Sequence, residues 1–137
     1  MKKRVFYKCG YKHQLQYTYD HELPEIFKGR NVRLNFIALN DGVLTILSGY
    51  AWDGASGPTL DTPSCIRGSL VHDALYQLMQ AGMLPNSFRI HADKELRRVM
   101  EQDGMFKPRA WAWYHFVRRF GGKYVTESSK KPILSAP

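Results

Sequence analysis

Three segments of the 137-residue chain concentrate residue types that can carry hydrolytic chemistry. They read GYAWDGASGPT at 49–59, LVHDALYQL at 70–78 and RIHADKELRRVM at 89–100. The first contains Asp53 among glycines, the second contains His72, Asp73 and Tyr76, and the third contains Asp93. A carboxylate beside an imidazole fixes the ring tautomer and stabilises the imidazolium after it takes a proton. A histidine and an acid on neighbouring elements are therefore candidates for a general base and its orienting partner.

Two helices are expected to position these residues. Apolar residues recur near a 3.6-residue period and predict a helix over about 65–80, which Gly82 and Pro85 end. A second helix is expected from Asn86 or Ser87 to Gln102, closed by Gly104. The short connection predicts that the two helices are antiparallel.

The histidine and the distant acid are expected to meet between these helices. His72 and Tyr76 are four residues apart and share one helix face, whereas Asp73 points about 100° away. Asp93 lies in the first half of the second helix. Depending on how the two helices are staggered, Asp93 is therefore expected beside His72 or beside the later half of the first helix.

Asp53 and Asp73 suggest a metal site. With loop carbonyls and water they would form a set of hard oxygen donors, which suits Ca²⁺ or Mg²⁺ better than zinc. Asp53 lies in a stretch from Ser48 to Pro63 that is rich in turn-forming residues and has no helical or strand period. Loops of this length inside a compact domain are more often functional than decorative.

The first 50 residues indicate β-structure. Residues 32–39 alternate in part between polar and apolar, and Asn40-Asp41-Gly42 predicts a hairpin turn into the strand 43–47. A third helix, rich in aromatic residues, is expected from Pro108 to Phe120. Its predicted core residues are Trp111, Tyr114 and Phe116 to Phe120.

Together these elements predict an α+β fold. It comprises a small antiparallel β hairpin or sheet, a long glycine-rich loop, two antiparallel helices and the third helix. One domain is expected over 1–125, followed by a flexible C-terminal tail over 126–137.

Composition limits the partners. Twenty Lys and Arg against twelve Asp and Glu give a net charge of +8. Such a charge suits an anionic partner, which can be a nucleic acid, a phospholipid surface or an acidic protein, and it does not choose among them. A phospholipid or an acidic protein is expected ahead of a nucleic acid, because the aromatic residues of the third helix are expected to form core. No apolar run reaches the roughly 18–20 residues of a membrane span, and a signal peptide is not expected. The only cysteines, Cys9 and Cys65, favour a reducing compartment.

The pattern W-D-G-A-S-G-P, R-G-S-L-V-H-D-A-L-Y, A-D and R-R-F-G-G resembles a domain family of tailed bacteriophages and prophages with no assigned activity. The resemblance covers roughly residues 30–122 and implies a viral protein in the host cytoplasm or the virion. Residues 53–96 also resemble the catalytic core of phospholipase A-two enzymes, especially the small bacterial ones. That second resemblance implies Asp53 and Asp73 as Ca²⁺ ligands, His72 as the base that activates water, Asp93 as its orienting acid and Tyr76 as a hydrogen-bond donor to Asp93.

Two classes of function follow. The first is a phage-encoded, Ca²⁺-dependent ester (lipid) hydrolase. The second is a non-enzymatic phage protein, either a virion component or an inhibitor of a host or defence protein, that acts through its basic surface. Three further hypotheses are weaker: a zinc hydrolase using scattered histidines, a nucleophilic Cys65, and nucleic-acid binding by the aromatic and basic third helix. The histidines are His13, His21, His72, His91 and His115.

Overall fold

The computed structural model describes residues 7–8, 13–52 and 63–122, with the side chains of 7–8 excepted. The described residues fall into two compact units, the strands before residue 53 and the helices after residue 62. This mixed architecture confirms the predicted α+β class. The predicted tail over 126–137 lies outside the described residues, and the single domain over 1–125 stays a prediction.

The strand unit contains two antiparallel sheets. The first has the order β1-β2-β7, formed by Tyr7–Lys8, His13–Leu15 and Ala51–Trp52. The second has the order β3-β6-β5-β4, formed by Tyr19–Glu22, Val43–Ile46, Ile37–Asn40 and Asn31–Leu34. Side chains alternate across β5 and β6, where the register pairs Ile37 with Ile46 and Leu39 with Leu44, all four of them buried. The second sheet therefore follows from period-two burial.

The predicted hairpin at Asp41-Gly42 is present, and both turn residues have positive φ angles of 47° and 89°. This is the turn geometry that matches the twist of the flanking strands. The expected single strand over 32–39 is wrong, because a second two-residue turn at Asn35-Phe36 divides it into β4 and β5. Asn35 takes a φ of 28° there, which asparagine tolerates better than most residues. A turn with no glycine left little signal in the sequence.

The helical unit contains α1 at Pro63–Gln80, α2 at Arg89–Gln102 and α3 at Lys107–Phe120. A short 3₁₀ turn at Asn86–Phe88 precedes α2. The predicted boundaries are correct within two or three residues at each end. Among the described helices, none is long and apolar enough to cross a membrane.

Helices α1 and α2 pack antiparallel. Residues near the start of α1 contact the end of α2, and residues later in α1 contact earlier residues of α2. Arg67 contacts Asp103, and His72 contacts Asp93. Gly68 makes the close approach possible, because a Cβ there would lie 3.1 Å from a side-chain carbon of Met100. The antiparallel pairing holds the first half of α2 beside the middle of α1.

Helix α3 covers the other side of α2 with a narrow buried stripe. Ala110 and Trp113 are buried, and Val117 packs against the same core. The predicted core over Trp111, Tyr114 and Phe116 to Phe120 is largely wrong: Trp111 is 52% exposed and Phe120 is 48% exposed. The inward stripe follows positions i, i+3 and i+7, and these two aromatics fall outside it.

Candidate active site

His72 and Asp93 are in direct contact between α1 and α2. The distance from His72 Nε2 to Asp93 Oδ1 is 2.7 Å. Because a carboxylate only accepts hydrogen bonds, Nε2 carries the hydrogen and Nδ1 is left as the basic nitrogen. The imidazole is therefore held in one tautomer by a buried acid.

Tyr76 completes the contact one helical turn after His72. Its hydroxyl donates to the same oxygen, Asp93 Oδ1, over 2.6 Å. Its ring lies against the imidazole with a centroid distance of 4.1 Å. Burial, followed by the negative charge of Asp93 and the hydrogen bond to it, raises the pKa of Tyr76 well above its usual value. The phenol therefore keeps its proton and serves as a donor.

Asp93 has no exposed surface, yet its charge is well compensated. Burial alone would raise the pKa of this carboxyl. The hydrogen bond and positive charge of His72 outweigh that effect, with help from the hydrogen bonds of Tyr76 and Arg118, so the pKa of Asp93 lies below its ordinary value. Asp93 is thus a permanent anion at neutral pH.

Two arginines, which sequence reasoning missed, contact the second oxygen of Asp93. Arg118 Nη1 donates to Asp93 Oδ2 over 2.9 Å, and Arg89 Nη1 lies 3.5 Å from the same oxygen. Arg89 precedes Asp93 by four residues, a spacing that could have indicated the pair from sequence. Arg118 comes from α3, 25 residues further along the chain, so only tertiary packing reveals it.

The imidazole of His72 is not fully buried. The side chain is 14% exposed, and among the described residues no hydrogen bond to Nδ1 is found. A water molecule on Nδ1 could lose a proton to the ring while Asp93 supports the positive charge on Nε2. This arrangement can perform general-base catalysis.

The predicted metal ligands are only partly described. Asp73 is half-buried on α1 next to His72, and Asp53 lies outside the described residues. Gln77, four residues after Asp73, has a buried side-chain oxygen that finds no hydrogen-bond partner within the part of the chain that the structure describes. Asp93 does not serve as a ligand, since its oxygens receive His72, Tyr76 and the two arginines.

Ca²⁺ takes six to eight oxygen ligands. Within 7–8, 13–52 and 63–122 there is no group of three or more acidic, histidine or cysteine side chains that could hold an ion. The calcium site expected from Asp53 and Asp73 stays a prediction, because Asp53 lies outside the described residues.

Two of the other candidate histidines and Cys65 each have surroundings of their own. His21 is buried and contacts Tyr19, whereas His115 is exposed and contacts Trp111. Cys65 is completely buried in the helical core. The thiol is therefore shielded from any external electrophile, and its environment favours a packing role.

Comparisons with protein-family profiles, with curated protein sequences and with solved structures find no match to this chain.

Proposed function

We propose that the protein is an ester hydrolase in which His72 is the general base and Asp93 orients it. The observation that carries the proposal is the contact between His72 Nε2 and Asp93 Oδ1, at 2.7 Å, with Tyr76 on the same oxygen. A buried acid that engages one nitrogen of an imidazole and leaves the other nitrogen basic is the arrangement that activates water.

The reaction would proceed in two proton transfers. His72 Nδ1 takes a proton from water as the water oxygen attacks the ester carbonyl carbon, and Asp93 stabilises the resulting imidazolium. The tetrahedral intermediate then breaks the carbon–oxygen bond to the alcohol, and His72 returns the proton to the departing oxygen. The products are a carboxylate, an alcohol and one released proton at neutral pH.

A phospholipid is the favoured ester. The resemblance of residues 53–96 to phospholipase A-two enzymes supports it, and the net charge of +8 suits an anionic lipid surface. The resemblance to bacteriophage domains supports a role during infection, in the host cytoplasm or in the virion.

Asp53 and Asp73 would hold a calcium ion beside the carbonyl of the ester. A bound divalent ion polarises a carbonyl oxygen and stabilises the charge that develops on it. We expect calorimetry to detect Ca²⁺ binding that is lost in Asp73→Ala and retained in Glu101→Gln, an acid at the end of α2. Equal heats for Asp73→Ala and wild type would contradict this ligand assignment.

The hydrolase proposal is tested with fluorogenic phospholipids, with and without Ca²⁺. His72→Ala should lower kcat by about 10²–10⁴-fold, the usual contribution of a general base. His115→Ala, which removes an exposed histidine on α3, should retain wild-type turnover. Turnover that survives His72→Ala, or none under any condition, would exclude this mechanism.

A second candidate function is binding of an acidic protein without catalysis. Helix α3 carries four Lys and Arg residues and no acid, and it exposes Trp111 and Phe120. Exposed aromatic and arginine side chains are typical of protein-binding surfaces. This function requires α3 but does not require His72.

A further inference from the structure

We infer that the last turn of α3 is part of the proposed site and that Arg118 is a positioning residue for His72, acting through Asp93. The inference rests on the proposed function, because it assigns Arg118 a role in keeping the proposed base oriented. It goes beyond the pair of helices that carry the histidine and its acid.

The carboxylate of Asp93 accepts hydrogen bonds from two sets of donors, one on each oxygen. His72 and Tyr76, both from α1, bond to Oδ1, whereas Arg118 bonds to Oδ2 over 2.9 Å. The terminal torsion of an aspartate is broad, so a carboxylate held on one side alone can rotate. The guanidinium on Oδ2 opposes that rotation and keeps Oδ1 directed at the imidazole.

The buried negative charge of Asp93 also depends on Arg118. Asp93 has no exposed surface, and a buried charge is costly unless it is paired and hydrogen-bonded. Four groups face it: His72 and Tyr76 from α1, Arg89 from α2 and Arg118 from α3. Arg118 makes the shorter of the two arginine contacts, so its removal takes away the main compensation on Oδ2.

Arg118 is itself held in place by Arg89. Arg89 donates through Nη1 to the carbonyl of Val117 over 3.1 Å and through Nη2 to the carbonyl of Arg118 over 3.2 Å. Carbonyl oxygens in the last turn of a helix can accept from an arginine of another element, and the carbonyl of Val117 does so while it also accepts from the backbone N–H of Gly121. Arg89 thus fastens the end of α3 beside the carboxylate that Arg118 contacts.

The test compares Arg118→Gln with Arg97→Gln. Arg97 lies one turn after Asp93 on α2, but its guanidinium bonds to Glu101 over 3.2 Å. Nitrogen-15 NMR of the histidine rings reports which nitrogen of His72 carries the hydrogen, and it needs no turnover. We expect wild type and Arg97→Gln to share a single protonated-Nε2 tautomer, and Arg118→Gln to show a mixture of tautomers.

In the kinetic assay, Arg118→Gln should lower kcat by roughly tenfold or more with little change in KM, a loss typical of residues that orient a reacting group. Circular dichroism checks folding. If Arg118→Gln does not fold, Arg118→Lys replaces it: an ammonium group keeps the charge but lacks the planar fork, so a partial shift of tautomer is expected.

Failure of the inference and failure of the proposed function are distinguishable. An unchanged His72 tautomer in folded Arg118→Gln or Arg118→Lys overturns the positioning role, whatever the turnover. A mixed tautomer in Arg118→Gln, together with a wild type that hydrolyses no ester, supports the positioning role and overturns the hydrolase.

Discussion

Asp93 joins His72 and Tyr76 of α1 to Arg89 and Arg118. Both of its oxygens are engaged, one by α1 and the other by two arginines, and the side chain has no contact with solvent. A carboxylate in this state cannot easily move or accept a proton. Its role is therefore to hold other groups rather than to react.

The lowered pKa of Asp93 has a consequence for stability. Its pKa in the folded protein lies below the value of about 3.9 expected for the unfolded chain, so the unfolded state binds the proton more readily. The resulting stabilisation is fully present above that unfolded value, and it is lost as the pH falls through the folded pKa.

We therefore expect the free energy of unfolding of wild type to fall more steeply below about pH 4 than that of Asp93→Asn. Denaturant titrations from pH 7 to pH 3 measure this. Lys94→Gln changes the neighbouring exposed position and leaves the Asp93 carboxyl in place, so it should keep the wild-type slope. Parallel curves for wild type and Asp93→Asn would contradict the expectation.

At the scale of elements, the sequence predicts what local periodicity and turn chemistry control. The spacing of apolar residues located α1, and residues typical of helix starts and ends located α2 and α3. The short connection predicted the antiparallel pairing of α1 and α2, in which His72 contacts Asp93. Positions that depend on tertiary packing were not accessible, as Arg118 and the exposed Trp111 show. The side of α3 that is buried is decided by how it lies on α2, and aromatic content alone does not reveal it.

The end of α3 offers a prediction about packing. A Cβ on Gly121 would lie 2.5 Å from the hydroxyl of Tyr76 and 2.5 Å from the carbonyl oxygen of Val117, closer than real Cβ contacts. A Cβ on the next residue, Gly122, would have its nearest neighbour at 3.7 Å, an ordinary contact. Gly121→Ala must therefore displace the turn or Tyr76, whereas Gly122→Ala need not.

We expect Gly121→Ala to destabilise the protein by about 1–3 kcal/mol, the usual cost of overpacking, with a much smaller loss for Gly122→Ala. Thermal unfolding of the two variants measures the difference. Equal stability of the variants would show that the turn does not lie tightly against Tyr76.

At the scale of the whole molecule, charge decides which partners approach. The net charge of +8 attracts anions over a distance that salt shortens, with a Debye length of about 10 Å at 0.1 M. In the second candidate function, the exposed aromatic and basic side chains of α3 would be the surface that holds such a partner.

If α3 binds acidic proteins, poly-glutamate should bind with an affinity that falls as salt rises. The double variant Trp111→Ala with Arg119→Gln should weaken binding, because it removes an exposed ring and a charge from the same helix. His72→Ala should bind as wild type does. Fluorescence anisotropy of labelled poly-glutamate measures these affinities, and binding that ignores both salt and the double variant would exclude the surface.

Both oxygens of Asp93 are occupied by hydrogen bonds, so orientation of the imidazole is separate from binding of an ion or a substrate. Every described contact that aims the imidazole comes from α1, α2 and α3, and none of these contacts needs an ion. If the proposed function is correct, residues other than Asp93 must then select the ester that is cleaved. Evolution could exchange one substrate for another, or abandon catalysis altogether, while leaving the same helical skeleton intact.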